Sequence, residues 1–291
     1  MRMTLIERIN SDFKNKNGVY YLIEPVHNSF EDIYMKVRKA EGRIYNDDEV
    51  KHLPEIENSH RYFNEWRMRK KSMMMLLDYF EAKTKNKTVL EPGCGNGWLS
   101  NKLAGLGFSE VISLDVNITE LEQAARVFPG KDNLIFVYGD IFGLPPFPPG
   151  SRQNGTRQDA VGGDTHARRS HGAGGEGGYK FDYIVLSSVI AYFKDLNTLI
   201  DSLLNKLNAG GEIHIIDSPF YEDKVKARER LIEYYSELGF GEMTEYYHPH
   251  SFEDLKGFNY STLHNPHTVS NRIKRLLDSS LPPFHWIKIT H

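Results

Sequence analysis

The chain has 291 residues, enough for one large α/β domain with an appendage or for two small domains. Its 40% hydrophobic and 26% charged residues are ordinary for a soluble globular protein, and a net charge of -3 supplies no basic field that would favour nucleic acid. One cysteine, Cys94, excludes an internal disulfide; no run approaches the roughly 18 apolar residues of a membrane span, the charged start does not read as a secretory signal, and a cytoplasmic location is expected.

Residues 1–60 are polar and aromatic and show no βαβ rhythm, apart from a short strand at Val19–Ile23 and an amphipathic helix from Phe30 to Ala40. They are expected to form a helical N-terminal cap on a domain spanning 61–291. Trp66, Met73, Met74, Leu77 and Phe80 recur at helical spacing and predict a helix from Tyr62 to Lys83, with Arg67, Arg69, Lys70 and Lys71 on its solvated face. From Lys87 onward strands and helices alternate. Strands are expected at 87–91, 110–115, 134–138, 181–186 and 212–216, with helices at 98–106, 119–128 and 196–207 between them. This rhythm predicts a mostly parallel sheet flanked by helices on both faces. A further helix covers Lys224 to Leu238. Tyr260–Leu263 and Phe284–Thr290 are expected to add an antiparallel C-terminal strand pair. Between the third and fourth of the alternating strands, residues 145–178 are rich in proline and glycine and poor in apolar residues, and read as a disordered insertion.

The segment Glu91-Pro-Gly93-Cys-Gly95-Asn-Gly97 joins a strand to a helix. Glycines there let the backbone turn sharply and approach a ligand, and the helix start offers free N–H groups. In dinucleotide enzymes such a turn holds a pyrophosphate. An acidic residue ahead of the glycines would repel a phosphate and suits a ligand bearing ammonium and sulfonium groups. S-adenosylmethionine is therefore favoured over NAD. Asp115, one helix and one strand later, can accept both ribose hydroxyls. Asp140 can hold the adenine amino group while Ile141 packs on the ring. The reading requires Glu91 and Asp115 to share one cavity.

These stations, with Phe181-Asp182 leading the fourth strand and Leu207-Asn-Ala-Gly-Gly entering the fifth, resemble those of class I S-adenosylmethionine-dependent methyltransferases. The resemblance covers about Thr88 to Ile216 and implies a Rossmann-like fold. It implies that Glu91, Gly93, Gly95 and Gly97 line the methionine part of S-adenosylmethionine, Asp115 the ribose, Asp140 and Ile141 the adenine, and Ser187 the inner side of the cofactor. The long interval from Asp140 to Asp182 departs from the family pattern. Other phrases, His60–Trp66, Ile215–Tyr221 and Pro283–Ile289, resemble uncharacterised bacterial members.

Methyl transfer needs a base only when the acceptor must lose a proton. Tyr192 and Tyr221 are the candidate catalytic residues; His214, Asp217 and the Tyr246–His250 cluster lie nearby in the same reading, and His60, Tyr62 and Trp66 are candidates to close the pocket. His214, inside a strand, reads as a hydrogen-bonded core residue, and no metal site is expected from His248 and His250 alone. The expected acceptor is a small molecule or glycan-type unit. A catalytically silent cofactor-binding module and an NAD-dependent oxidoreductase are the alternatives.

Overall fold

The computed structural model describes residues 4–24, 29–144 and 178–291. The N-terminal elements are α1 (Leu5–Asp12), β1 (Lys14–Lys16), β2 (Val19–Tyr21), α2 (Ser29–Glu41), α3 (Asp47–His52) and α4 (Phe63–Phe80). The alternating region follows as β3 (Thr88–Pro92), α5 (Trp98–Leu106), β4 (Glu110–Asp115), α6 (Ile118–Val127), β5 (Leu134–Tyr138), β6 (Phe181–Ser187), α7 (Leu196–Leu204) and β7 (Leu207–Ile216). The chain ends with α8 (Lys224–Glu237), β8 (Asn259–His264), α9 (Val269–Leu277) and β9 (Trp286–Thr290). Most of the insertion expected at 145–178 lies outside the described residues.

Among the described residues, nine strands form one sheet in the order β1-β2-β5-β4-β3-β6-β7-β9-β8. The strands from β5 to β7 run parallel, and β9 pairs antiparallel with both β7 and β8. Helices on both faces explain why β5 is buried at every residue and β4 at all but its last. On one face Leu196, Leu199, Ile200 and Leu203 of α7 pack on the sheet; on the other, Leu76 and Phe80 of α4 join Leu99 and Leu103 of α5. At the edge, β8 is exposed over Asn259–Leu263 and carries the polar sequence such an edge needs.

Helix starts follow side-chain capping. Thr4 and Asn46 form capping boxes with Glu7 and Glu49, and Asn117, Asp195 and Asp223 cap α6, α7 and α8. Asp182 accepts hydrogen bonds from Lys87 Nζ (2.9 Å) and Thr88 N (2.9 Å), clamping β6 to β3 at their entry rather than serving a site.

The first 60 residues are more than a helical cap. β2 runs parallel to β5, placing Tyr21 beside Tyr138, and β1 pairs antiparallel with β2. The chain then crosses the carboxyl edge of the sheet as α2, where Glu31 Oε1 accepts from Ile118 N (3.1 Å) at the start of α6. The segments too short for a periodic signal, β1, α1 and α3, were not legible as elements, and α9 also went unread. Among the described residues no helix is long and apolar enough to cross a membrane.

Candidate active site

The chain lays β4 and β5 on one side of β3 and then returns to lay β6 and β7 on the other. Loops leaving β3 and β6 part company there, and ligands of open α/β sheets bind in that crevice, outside the carboxyl ends of the strands. A cavity of about 470 Å³ opens at this point, floored by the strand ends and roofed by α2 and α4.

The glycine turn after β3 is tied directly to the end of β4. Gly93 N donates to Leu114 O (2.7 Å), and Gly95 N donates to Asp115 Oδ2 (2.7 Å). Asp115 Oδ1 accepts from Asn117 N (2.8 Å). Both oxygens of Asp115 thus hold the loops in place. Gly95 adopts φ +53°, where a Cβ would stand 3.4 Å from Glu120 Oε2. Gly97 does not line the cavity. Its added Cβ would meet Phe136 Cε1 at 2.6 Å and Ala124 Cβ at 2.9 Å, so it sets how closely α5 and α6 seat against the sheet. The expectation that it touches the cofactor is corrected accordingly.

Glu91 and Asp115 face the same cavity, with Glu120 from α6 beside them. Glu91 is 2% exposed and accepts a short hydrogen bond from Ser100 Oγ. Burial pushes its carboxyl up to about 8, and the neighbouring Asp115 adds to the rise. Glu120 is pushed up to about 7, first by burial and then by Asp115. Asp115 itself is raised by burial, against the pull of the Gly95 and Asn117 amides. Like charges gathered in a desolvated wall resist ionisation until a cation joins them. That wall suits a sulfonium or ammonium group and opposes a diphosphate. Asp140, Ile141 and Ser187 also line the cavity, at the exits of β5 and β6. The Asp140 side chain caps the short turn after β5 by accepting from Phe142 N (2.9 Å).

The roof is of opposite sign, and the sequence did not reveal it. Arg38, Arg43 and Arg69 all line the cavity, with Glu65, Tyr34 and Trp66. Arg43 makes two hydrogen bonds to Glu65 (2.8 and 2.6 Å), and Arg69 Nε donates to the same carboxylate (3.3 Å). Burial alone would raise Glu65, but Arg43 and Arg69 outweigh it and hold the carboxyl below its ordinary value. Arg69 is therefore no member of a solvated face. Its side chain is 20% exposed, whereas those of Arg67 and Lys70 are each 41% exposed and point away. The run 67–71 looked uniform because charge alone does not say which side of a helix meets a cavity.

Tyr192 lines the cavity among Phe30 and Tyr34, with ring centroids 5.6 and 5.9 Å away. Burial raises its hydroxyl above the ordinary tyrosine value, so it is a hydrogen-bond donor rather than a base near neutral pH. Tyr221 does not reach the cavity. Its amide donates to His250 O (2.7 Å) and its hydroxyl pairs with Tyr247, on the far side of the aromatic cluster. It is withdrawn as a catalytic candidate. His214 is fully buried between Trp286 Nε1, which donates to its Nδ1 (3.0 Å), and Glu212 (3.1 Å), and is a core residue. His250 Nε2 lies 3.0 Å from the carbonyls of both Ile190 and Phe193, a structural bond. Trp66 and Tyr246 line the cavity; His60 and Tyr62 stand behind Tyr45 and do not.

A family model described as a methyltransferase domain matches residues 59–264. No curated protein matches the chain. Among solved structures, the chain is similar to magnesium protoporphyrin IX methyltransferase from Synechocystis PCC 6803 with bound SAH. The TM-score is 0.51 at 11% identity, covering 90% of this chain and 100% of that one. The same enzyme with bound SAM gives 0.50 at 10% identity, covering 92% and 100%. The CurJ carbon methyltransferase gives 0.51 at 14% identity, covering 89% and 65%. At such identities the likeness concerns the fold.

Proposed function

The chain belongs to the methyltransferase-domain family, and with S-adenosylmethionine as its methyl donor we propose that it methylates a small organic acceptor, a small molecule or glycan-type unit, bound between Tyr192 and the roof of α2 and α4. One observation carries this reading: a single cavity has an acidic wall at the strand ends and a separate aromatic and basic roof. The wall fits a cationic donor, and the roof leaves room for a second molecule.

In this reading Glu91 and the turn at Gly93 and Gly95 hold the methionine end of the donor. Asp115 takes the ribose, Asp140 and Ile141 the adenine, and Ser187 the inner side. When bound, the donor supplies a methyl group already activated by its sulfonium centre. The protein then has to align, desolvate and neutralise. Glu91, Asp115 and Glu120 neutralise the positive charge. Trp66, Phe30 and Tyr34 exclude water from the acceptor side. Tyr192, protonated near neutrality, donates a hydrogen bond that orients the acceptor.

Calorimetry with S-adenosylmethionine and S-adenosylhomocysteine tests the donor site, and both are expected to bind. If neither binds at millimolar concentration, the reading fails. Transfer of label from methyl-labelled donor to a panel of acceptors then separates an enzyme from a silent binding module.

A further inference from the structure

Resting on that reading, we propose that the acceptor carries an anionic group, a carboxylate or a phosphate, and that Arg38 and Arg69 receive it. The roof brings three guanidinium groups to one cavity; among the described residues Glu41 and Glu65 pair with them directly, and Asp217 acts on Arg69 through charge alone. Glu65 is shared by Arg43 and Arg69. Glu41 lies 3.4 Å from both Arg38 and Arg43 and also accepts from Tyr234 Oη (2.6 Å). Glu120 faces Arg38 across the cavity without a hydrogen bond and belongs to the opposite wall. What the roof offers a ligand is therefore not a surplus of charge but guanidinium N–H groups of Arg38 and Arg69 that are open toward the cavity.

Each of the two arginines is held at one edge and open at another. Arg38 donates from Nε to Tyr34 Oη (3.0 Å) and from Nη1 to Glu41 (3.4 Å). Arg69 donates from Nε to Glu65 and from Nη2 to Ser188 Oγ (3.0 Å). Among the described residues, Arg38 Nη2 and Arg69 Nη1 make no hydrogen bond. Guanidinium groups fixed in this way lose little freedom on meeting an oxyanion, which is why arginine suits carboxylate and phosphate recognition. The Tyr192 hydroxyl also makes no hydrogen bond among the described residues, and both Arg38 and Arg69 act on it electrostatically.

The support under Arg69 is strained. Ser188, at φ +57°, donates from Oγ to Asp217 O (2.9 Å), and Asp217 sits at φ +52°. Asp217 Oδ1 accepts from Ser72 Oγ (2.5 Å), three residues along α4 from Arg69. Two non-glycine residues in left-handed backbone at adjacent strand ends cost free energy, and such strain collects where a side chain must be aimed. Here it joins the ends of β6 and β7 to the arginine that faces the acceptor.

The aromatic lining suggests the probes: benzoate, phenyl phosphate and neutral benzamide, titrated by ligand-observed NMR onto protein saturated with S-adenosylhomocysteine. At least one anion is expected to bind about tenfold or more tighter than benzamide, the scale of a charge-assisted pair. Preference for benzoate or for phenyl phosphate assigns the group. Arg38→Gln and Arg69→Gln should each erase the preference. Arg69 does not face Glu120, so Arg69→Gln should leave S-adenosylhomocysteine affinity by calorimetry unchanged, and Arg69→Lys should keep part of the preference. If Arg38→Gln also loses that affinity through misfolding, Arg69→Gln decides. Equal binding of benzamide, binding of no probe, or variants that keep the preference overturn the proposal. Absence of S-adenosylhomocysteine binding by the unaltered protein would instead overturn the donor site.

Discussion

The acidic wall and the arginine roof face each other across one cavity, yet they are assembled differently. The wall comes from Glu91 to Ile141, where three consecutive strand ends bring Glu91, Asp115 and Asp140 to one edge. The roof comes from α2 and α4, laid over the sheet by tertiary contacts such as that of Glu31 with the start of α6. The two also differ electrostatically. The wall's carboxyls crowd one another and are raised, whereas the roof's arginines are largely answered by Glu41 and Glu65. A wall of raised carboxyls is built to gain a cation. A roof of partly answered arginines is built to aim a few remaining donors.

The most severe way to break the wall without touching the roof is Gly95→Val. A β-branched residue at φ +53° is strained, although its Cβ alone would meet Glu120 only at contact distance. Cofactor affinity is expected to fall at least about 100-fold, a penalty of the size left-handed strain and a lost backbone contact impose. Calorimetry with S-adenosylhomocysteine checks it, with circular dichroism to confirm the fold; normal binding would mean that the turn is not the site. Asp115→Asn is next. Its amide oxygen can still accept from Gly95 N, but its NH2 cannot accept from Asn117 N and the charge is gone, so a loss of about tenfold or more is expected. A variant as tight as the parent would remove Asp115 from the donor site.

The same contrast explains what the sequence disclosed. The wall was legible because a strand, a turn and a helix in immediate succession fix Glu91 relative to the glycines, and parallel strands carry Asp115 and Asp140 to the same edge. Gly97 and Tyr221 were misplaced for different reasons. The first serves helix packing, which spacing cannot distinguish from ligand contact. The second follows β7, where the chain turns away toward His250. The roof was illegible because its parts, Arg38, Arg43 and Arg69, have no shared local pattern. Only the crossing of α2 over the strand ends makes them neighbours. The fold itself was legible wherever burial on both faces wrote continuous apolar runs, and was missed where short edge pieces such as β1 leave no period to read.

The wall's charge also predicts a pH effect that the roof should not show. Below about 7 to 8, Glu120 and Glu91 carry protons and cannot balance a sulfonium. Binding a cation must then release those protons, so affinity for S-adenosylmethionine should rise by at least about tenfold between pH 6 and 8 and level off only above the higher of the two values. S-adenosylhomocysteine lacks the sulfonium charge and should show a shallower slope. Titrations of both ligands at several pH values make the comparison; parallel slopes would mean that the carboxyls do not face the sulfonium.

Glu91→Gln separates what the wall does for the ligand from what it does for the fold. Folding raises the Glu91 carboxyl from an ordinary value of 4.5 to about 8. A group raised by folding contributes stability that is fully present below the unfolded value and is lost as pH rises through the folded one. The unaltered protein should therefore lose stability between pH 5 and pH 8.5 on account of this carboxyl. Glutamine, which can still accept from Ser100 but never ionises, should not. At pH 5 the two melting temperatures should agree. At pH 8.5 the variant is expected to melt higher, by about 2–4 °C for each kcal/mol recovered in a domain of this size, while binding the donor more weakly. Scanning calorimetry of both proteins at the two pH values reads the difference directly. A variant that melts lower at pH 8.5 would show that the ionised carboxylate is stabilised in the empty cavity, and would undo the idea that the wall waits for a cation.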